Sequence, residues 1–255
     1  GVLTQGCLDN GRGSARLNMF RHLHEVQTGR TSSISHEVLG FDSNGHPVYH
    51  DIAASTEIAE SATKLITFID LAGHEKYLRT TISGLTGYAP HYAMLVISAS
   101  AGVVTMTQEH LAIAVALEVP FFVMLTKVDV TPKVKLQETI DSLEKVLKAV
   151  GTNKVPLIVH SEDDSITAAN TALKEKSVVP IFCVSSVTGI GLDKVRQFLH
   201  LLPPGAGPQE QERLEQEHPE FQIDEIFDVP GVGLVVGGLV TKGIITEGIS
   251  LSLGP

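Results

Sequence analysis

The sequence predicts a doubly wound α/β domain over residues 1–205, followed by the first strands of a small β-barrel over residues 221–255. Two observations predict the first domain: apolar runs rich in Val, Ile and Phe, and amphipathic helical segments between them. A change of composition after an acidic stretch predicts the second domain. We therefore expect a mostly parallel sheet covered by helices, and a separate β-rich unit after it.

Five apolar runs are the expected strands. Each is apolar nearly throughout rather than alternating, which is typical of strands that a parallel sheet buries on both faces. We therefore expect all five to lie in the parallel sheet. Their ranges are 64–70, 92–98, 120–126, 155–161 and 179–185.

Three segments between or after these runs have a helical pattern. Residues 107–118 start at Thr107, a residue type that commonly caps helix N-termini. Residues 133–150 place an apolar stripe opposite charged side chains. The third helix, over residues 192–202, ends before two consecutive prolines, which cannot continue it.

The acidic stretch separates the two domains. Residues 209–228 contain eight acids and one arginine, and thus account for seven of the ten net negative charges. Such a charge run is typical of a solvated linker, which we place at residues 206–220. The remainder of the chain is close to neutral, so the overall acidity does not exclude contact with RNA.

Residues 221–255 combine β-branched runs with glycines and have no helical period. These 35 residues are too few to close a barrel, so we expect further sequence after them.

Composition also bears on the compartment. No apolar run reaches the roughly 18 residues that a membrane-spanning helix needs. Cys7 and Cys183 match no metal or redox spacing, and the eleven histidines are scattered. We expect a cytoplasmic protein with reduced thiols and no histidine metal site.

Asp70, Gly73 and His74 directly follow the expected strand 64–70. In doubly wound sheets, ligands bind at the carboxyl ends of the strands. A carboxylate followed by a glycine turn can place an acid beside a metal and a backbone N–H beside a phosphate. The alternative is an ordinary strand exit that uses common turn residues.

Thr126, Lys127 and Asp129 occupy the corresponding place after a second strand. The Asp129 carboxylate can accept two hydrogen bonds from N1 and N2 of guanine, while the aliphatic stem of Lys127 covers the base. The alternative is a polar strand exit into a turn at Thr131 and Pro132.

Ser185 and Ser186 open the turn after the last expected strand. Backbone N–H groups in such a turn can bind the exocyclic oxygen of guanine and disfavour adenine. The alternative is a helix N-cap.

Thr31 lies in the polar segment GRTSSI, ahead of the first expected strand. Its hydroxyl could ligate Mg²⁺ and its peptide could contact a terminal phosphate, as in loops that a nucleotide orders. The alternative is a plain Ser/Thr loop.

Taken in order, these four motifs resemble the GTPase family, with three of them at consecutive strand ends. The histidine of DLAGH resembles the translational GTPases, whose acidic turn ends in histidine. HLHEVQTGRTSS, FIDLAGHEKYLRTTISGLTGY and VPGVGLVVGG are most similar to the branch called GTP-binding proteins 1 and 2. The similarity extends over essentially all 255 residues.

The resemblance implies GTP and GDP as ligands, Mg²⁺ as cofactor and GTP hydrolysis as the reaction. Asp70 would hold Mg²⁺ through a water, and Thr31 would complete the metal shell. The Gly73 N–H would meet the γ-phosphate, and His74 would orient the attacking water.

The resemblance also implies how the base and the partners are recognised. Lys127, Asp129 and Ser186 would read guanine, with Thr126 and Ser185 in the same two loops. The helix after GHEKY would move when the γ-phosphate leaves. The implied partners are GTP, the ribosome and tRNA or mRNA, with no membrane and no DNA.

The sequence departs from the family in two ways. It contains no Gly-Lys pair, and so lacks the G-x-x-x-x-G-K-[ST] loop that cradles phosphates. We expect that the chain begins just inside the helix after that loop, without the first strand, and binds GTP poorly although the parent protein binds it. Thr126 replaces the usual asparagine, so base affinity should fall while Asp129 keeps guanine specificity.

Two other functions stay open. A non-catalytic interaction module derived from a GTPase would explain the missing phosphate loop. A metabolic GTPase with the same two-domain architecture would hydrolyse GTP but would not act at the ribosome. Four arginines could contact phosphates, although a solvated helix face explains them better: Arg12, Arg16, Arg21 and Arg30.

Overall fold

The computed structural model describes residues 1–49, 55–149, 154–174, 177–205 and 207–254. The chain divides into two compact units. The first comprises residues 1–82 and 90–203, and the second comprises residues 83–89 and 204–255.

An antiparallel sheet in the first unit contains β1 (Ser35–Phe41), β2 (Pro47–Val48) and β3 (Lys64–Asp70), in the order β2-β1-β3. β1 pairs with β3 along its whole length, from Ser35 opposite Asp70 to Phe41 opposite Lys64. The prediction that strand 64–70 lies in the parallel sheet is therefore wrong. An antiparallel sheet can leave one face in water, and Leu65 of β3 is indeed 46% exposed.

A four-stranded parallel sheet also lies in the first unit, as predicted. Its strands are β4 (Ala93–Ser98), β5 (Phe121–Thr126), β6 (Val155–Val159) and β7 (Val178–Cys183). Their order is β4-β5-β7-β6, and every pairing is parallel. All four strands lie within two residues of their predicted limits. The carboxyl ends of β5 and β7 are neighbours, which brings the loops after them together.

The helices include the three that the sequence predicts. Two short 3₁₀ helices cover Ser14–Met19 and Glu75–Tyr77. The α-helices are α1 (Val2–Gln5), α2 (Leu23–Thr28), α3 (Ser55–Ser61), α4 (Leu78–Gly87), α5 (Thr105–Ala116), α6 (Lys133–Ala149), α7 (Glu162–Lys174), α8 (Leu192–Leu201) and α9 (Pro208–Gln216).

The predicted N-cap of α5 is wrong. The helix is capped by Val104, and the Thr107 N–H donates to the Val104 carbonyl at 2.9 Å. Thr107 is buried inside the first turn, because the helix starts two residues earlier than predicted.

Two hydrophobic clusters form the core of the first unit. Alternate residues of a strand point to opposite faces, so Phe122 and Met124 of β5 join one cluster while Val123 and Leu125 join the other. In the first cluster, Phe122 and Phe182 pack around Phe198 of α8, with ring centroids 5.0 and 4.9 Å from it. This packing holds α8 against the parallel sheet.

The second unit contains α9, which begins one residue before the acidic stretch, and an antiparallel pair of strands. β8 (Glu220–Val229) pairs with β9 (Gly233–Lys242), with Val229 opposite Gly233 beside the turn. These strands begin a barrel-like domain, as predicted. The domain limits 1–205, 206–220 and 221–255 stay predictions.

Within the described ranges, no helix combines the length and the apolar character needed to cross a membrane.

Lys64 ties the start of β3 to the end of α8. Its Nζ donates to the carbonyl oxygens of His200 and Leu202. Burial lowers the pKa of Lys64 from its usual 10.5 to about 8. Between these values the unfolded chain binds more protons than the folded one, so the free energy of unfolding should rise with pH across this window.

We expect the wild type to gain stability relative to a Lys64→Met variant as the pH rises from about 8 to about 10. Urea denaturation of both proteins at several pH values measures this difference. If the free energies of unfolding of the two proteins changed with pH in parallel, that result would contradict the assigned burial of the Lys64 amine.

Candidate functional site

The predicted metal residues meet at the end of β3. The Thr31 hydroxyl donates to Oδ2 of Asp70 at 3.3 Å, although 39 positions separate the two residues. Both side chains are half-buried. Burial raises the pKa of Asp70, and the hydrogen bond from Thr31 opposes that rise.

This pair fits a magnesium ion by its chemistry. Carboxylate and hydroxyl oxygens are hard ligands, and Mg²⁺ is commonly held by one or two protein ligands together with substrate phosphates. No group of three His, Cys, Asp or Glu residues suited to a metal occurs in the part of the chain that the structure describes.

The turn after Asp70 exposes its backbone. Ala72 is buried, and its carbonyl accepts a hydrogen bond from the Thr81 hydroxyl. Gly73 is exposed, and a Cβ built on it would meet nothing within 4 Å. The fixed Ala72 and the open Gly73 leave the glycine backbone accessible to a ligand.

His74 caps the 3₁₀ helix Glu75–Tyr77. Its Nδ1 accepts a hydrogen bond from the Lys76 N–H at 3.1 Å, and its ring packs edge-on against Tyr77, with centroids 6.3 Å apart. Because Nδ1 accepts, the ring hydrogen lies on Nε2. His74 can therefore offer an N–H donor to a water, a role that positions the water rather than removing its proton.

The loop after β5 has an unusual backbone at Lys127. Its φ is 62°, in the left-handed region, and its carbonyl accepts a hydrogen bond from the Thr131 hydroxyl at 2.7 Å. Thr126 donates its hydroxyl to the Ile97 carbonyl of β4 at 3.2 Å. Asp129 is exposed, and among the described residues none donates a hydrogen bond to its carboxylate. The loop is held by its neighbours while Asp129 is available to a ligand.

The loop after β7 is shaped by Ser185. Its side chain is fully buried, and its Oγ accepts hydrogen bonds from the N–H groups of Val187 and Thr188 at 3.2 and 3.1 Å. Ser185 thus uses its hydroxyl inside the loop, so we assign it to loop shape rather than to ligand contact. Ser186 is half-buried.

Backbone hydrogen bonds join the predicted base-reading loops. The Val128 N–H donates to the Val184 carbonyl at 3.4 Å, and the Val184 N–H donates to the Leu125 carbonyl at 2.8 Å. The structure thus brings residues 126–129 beside residues 185–186. Residues 31, 70, 73 and 74 form a second group, and across the described ranges no hydrogen bond or ion pair links the two groups.

Sequence reasoning missed two carboxylates near these groups. The first is Asp9, whose backbone N–H donates to the Ser186 carbonyl at 2.8 Å. Its carboxylate accepts from the N–H groups of Gly11, Gly13 and Ala15 at 2.9 to 3.0 Å. Although burial alone would raise it, these hydrogen bonds hold the pKa of Asp9 below its usual value. The alternating glycines after Asp9 were the available signal.

The second is Glu25 of α2, whose side chain is only 1% exposed. It binds the serines that directly follow Thr31. Its position three residues after the helix cap His22 is that of a capping box, and this spacing could have been found in the sequence.

Comparison with known proteins identifies the family. The family model described as Elongation factor Tu GTP binding domain matches residues 3–204. The chain belongs to this family of elongation factor Tu GTP-binding domains. The matched residues of this GTP-binding domain include both loop groups described above.

Proteins similar to this GTP-binding domain include two GTP-binding proteins and an elongation factor. The chain is 56% identical over 256 residues to GTP-binding protein 2 of Homo sapiens, covering 100% of this chain and 42% of that protein. It is 48% identical over 260 residues to GTP-binding protein 1 of Xenopus laevis, covering 100% of this chain and 39% of that protein. A selenocysteine-specific elongation factor of Escherichia coli is 31% identical over 172 residues, covering 67% of this chain and 23% of that protein. The chain therefore spans about two-fifths of the first two relatives.

Solved structures share the fold. The crystal structure of a bacterial selenocysteine-specific elongation factor, EF-Sec, superposes with a TM-score of 0.62 at 19% identity, covering 95% of this chain and 34% of that chain. The elongation factor SelB of Methanococcus maripaludis, in complex with the GTP analogue GppNHp, gives 0.56 at 20% identity, covering 84% and 37%.

Proposed function

We propose that the protein containing this chain binds GTP with Mg²⁺ and hydrolyses it to GDP and phosphate in a translation-associated role at the ribosome. The contact between the Thr31 hydroxyl and the Asp70 carboxylate carries this proposal. It joins two distant segments into one pair of oxygen ligands beside an accessible glycine turn.

Thr31 and Asp70 would hold the metal. When bound, Mg²⁺ supplies positive charge that neutralises the developing charge on the transferred phosphoryl group. The exposed backbone of Gly73 would donate its N–H to the γ-phosphate. His74 would orient the attacking water through Nε2–H.

The joined loops after β5 and β7 would bind the base. Asp129 would accept hydrogen bonds from N1 and N2 of guanine, and the stem of Lys127 would cover the ring. The turn that Ser185 shapes would present the backbone N–H of Ser186 to the guanine oxygen. Thr126 would contribute only through the strand pairing that its hydroxyl supports.

The 255-residue chain contains no Gly-Lys pair, so we propose that the chain alone binds GTP weakly. The full-length protein is therefore the sample for each experiment below.

The names of the relatives support a role in translation. Several relatives at 26 to 31% identity are selenocysteine-specific elongation factors. On this basis we propose the ribosome and aminoacyl-tRNA or mRNA as partners, and a cytoplasmic location.

Co-sedimentation of the full-length protein with ribosomes tests the proposal. We expect retention with a non-hydrolysable GTP analogue and release with GDP, together with ribosome-stimulated GTP hydrolysis. Ribosome-independent hydrolysis would favour a metabolic GTPase. Failure to bind any guanine nucleotide would favour a non-catalytic interaction module.

A further inference from the structure

Glu25 is a buried carboxylate, and no cation in the part of the chain that the structure describes forms an ion pair with it. Its side chain is 1% exposed, and both oxygens are occupied by hydrogen-bond donors. Oε2 accepts from the N–H groups of Arg21 and His22 at 2.9 and 3.0 Å. Oε1 accepts from the N–H groups of Ser32 and Ser33 at 2.6 and 3.0 Å, and from their hydroxyls at 2.8 and 3.1 Å.

These hydrogen bonds stabilise the ionised form. Burial would raise the pKa of Glu25, but the hydrogen bonds, above all those from Ser32, lower it well below its usual range. A carboxylate with this many donors stays charged at neutral pH, so the six contacts persist together.

The two carboxylate oxygens of Glu25 bind different parts of the chain. Oε2 caps the N-terminus of α2, whereas Oε1 binds the loop after the helix. The helix ends at Gly29, which has a φ of 65° and donates its N–H to the Glu25 carbonyl at 2.7 Å. One residue thereby fixes the entry, the end and the exit loop of α2.

Thr31 lies inside this closed segment. Ser32 and Ser33, which follow it directly, are bound to Glu25. Two residues later, Ser35 begins β1 and pairs opposite Asp70. The Thr31 hydroxyl thus reaches Asp70 from a backbone that is fixed on both sides.

We propose that Glu25 is a positioning residue that holds the Thr31 hydroxyl in place as a ligand for the metal at Asp70. This inference rests on the proposed function, because it assumes that Thr31 and Asp70 share Mg²⁺ with a nucleotide. Glu25 touches neither of them and acts through the serine pair.

The test compares Glu25→Gln with the matched exposed variant Glu60→Gln in the full-length protein. The amide keeps the size of the side chain but replaces one acceptor with a donor, which faces N–H groups. In the nucleotide-free protein, we expect hydrogen exchange at Ser32 and Ser33 to quicken at least about tenfold in Glu25→Gln alone. This readout requires no metal and no activity.

The second readout is the dependence on Mg²⁺. We expect the Mg²⁺ concentration for half-maximal hydrolysis to rise at least about tenfold, while GDP affinity in EDTA stays within about twofold. A Ser32→Ala/Ser33→Ala variant removes two donors but leaves the helix cap intact, and should shift both readouts in the same direction by less. This second variant tests the proposal even if Glu25→Gln fails to fold.

The outcomes separate the two proposals. Faster exchange with an unchanged Mg²⁺ dependence would overturn the positioning role and leave the GTPase proposal in place. An equal loss of Mg²⁺-dependent and Mg²⁺-independent binding would indicate a general fold defect and also overturn it. A wild type without Mg²⁺-dependent GTP binding would overturn both.

Discussion

Replacing His74 with alanine is expected to lower kcat for GTP hydrolysis about 10³-fold, with GTP and GDP affinities changed by no more than about twofold. The reason is that the two ring nitrogens have different roles. Nδ1 accepts a hydrogen bond from the Lys76 N–H, and Nε2–H is left to orient a water. Removing that donor affects the reaction rather than the bound state. Single-turnover hydrolysis and equilibrium nucleotide binding by the full-length protein measure the two quantities separately.

A His74→Asn variant provides the matched control. Asparagine can cap the 3₁₀ helix in place of Nδ1, but it has no second ring nitrogen to reach a water. We expect it to fold normally and to remain as slow as His74→Ala, while alanine at the exposed His91 leaves kcat unchanged. Full activity of His74→Asn would show that only the cap matters.

Replacing Asp129 with asparagine is expected to weaken GTP binding by about 10² to 10³ and to create binding of xanthosine triphosphate. Hydrogen bonds to a charged acceptor contribute about 1.5–3 kcal/mol each, and the amide turns one acceptor into a donor that faces the donors of guanine. Xanthine carries a carbonyl oxygen at that position and accepts from the amide. Competition binding with both triphosphates measures the change of preference from GTP to xanthosine triphosphate.

The exposed Asp163 in the first turn of α7 serves as the charge control, and Asp163→Asn should leave both affinities unchanged. Equal weakening of both triphosphates in Asp129→Asn would mean that the carboxylate does not face the base.

The parallel sheet could be predicted because its signal is local. Each of β4 to β7 is a short apolar run, which is visible without knowledge of the partner strand, and β5 and β7 are buried along most of their length. β1 was missed for the opposite reason. Its sequence, SHEVLGF, mixes polar residues with a glycine, and it becomes a strand by pairing with β3, whose residues are up to 35 positions away.

α7 was missed as well. Its sequence, EDDSITAANTALK, has few large apolar residues, and the fully buried positions on it are small ones such as Ala168 and Ala169. A helix that packs through alanines has a weak amphipathic pattern, although close approach to its neighbours stabilises it.

The residues assigned to the candidate site came from short motifs, and their roles as ligands stay predictions. Thr31 and Asp70 were predicted to share a metal, and the structure places their oxygens in contact. Asp129 and Ser186 were predicted to share a base, and their loops are joined through Val128 and Val184. The capping-box spacing of Glu25 could have been found in the sequence, but its bonds to Ser32 and Ser33, seven and eight residues further on, follow no fixed pattern.

The left-handed backbone at Lys127 has a consequence for mutational tolerance. Side chains branched at Cβ are strongly disfavoured at its φ of 62°, whereas glycine or asparagine adopts that conformation with little strain. In a saturation library of the full-length protein, valine and isoleucine should be depleted at this position even under selection for folding alone. Such a profile would distinguish the substitutions that the backbone conformation at Lys127 excludes from those that nucleotide binding excludes.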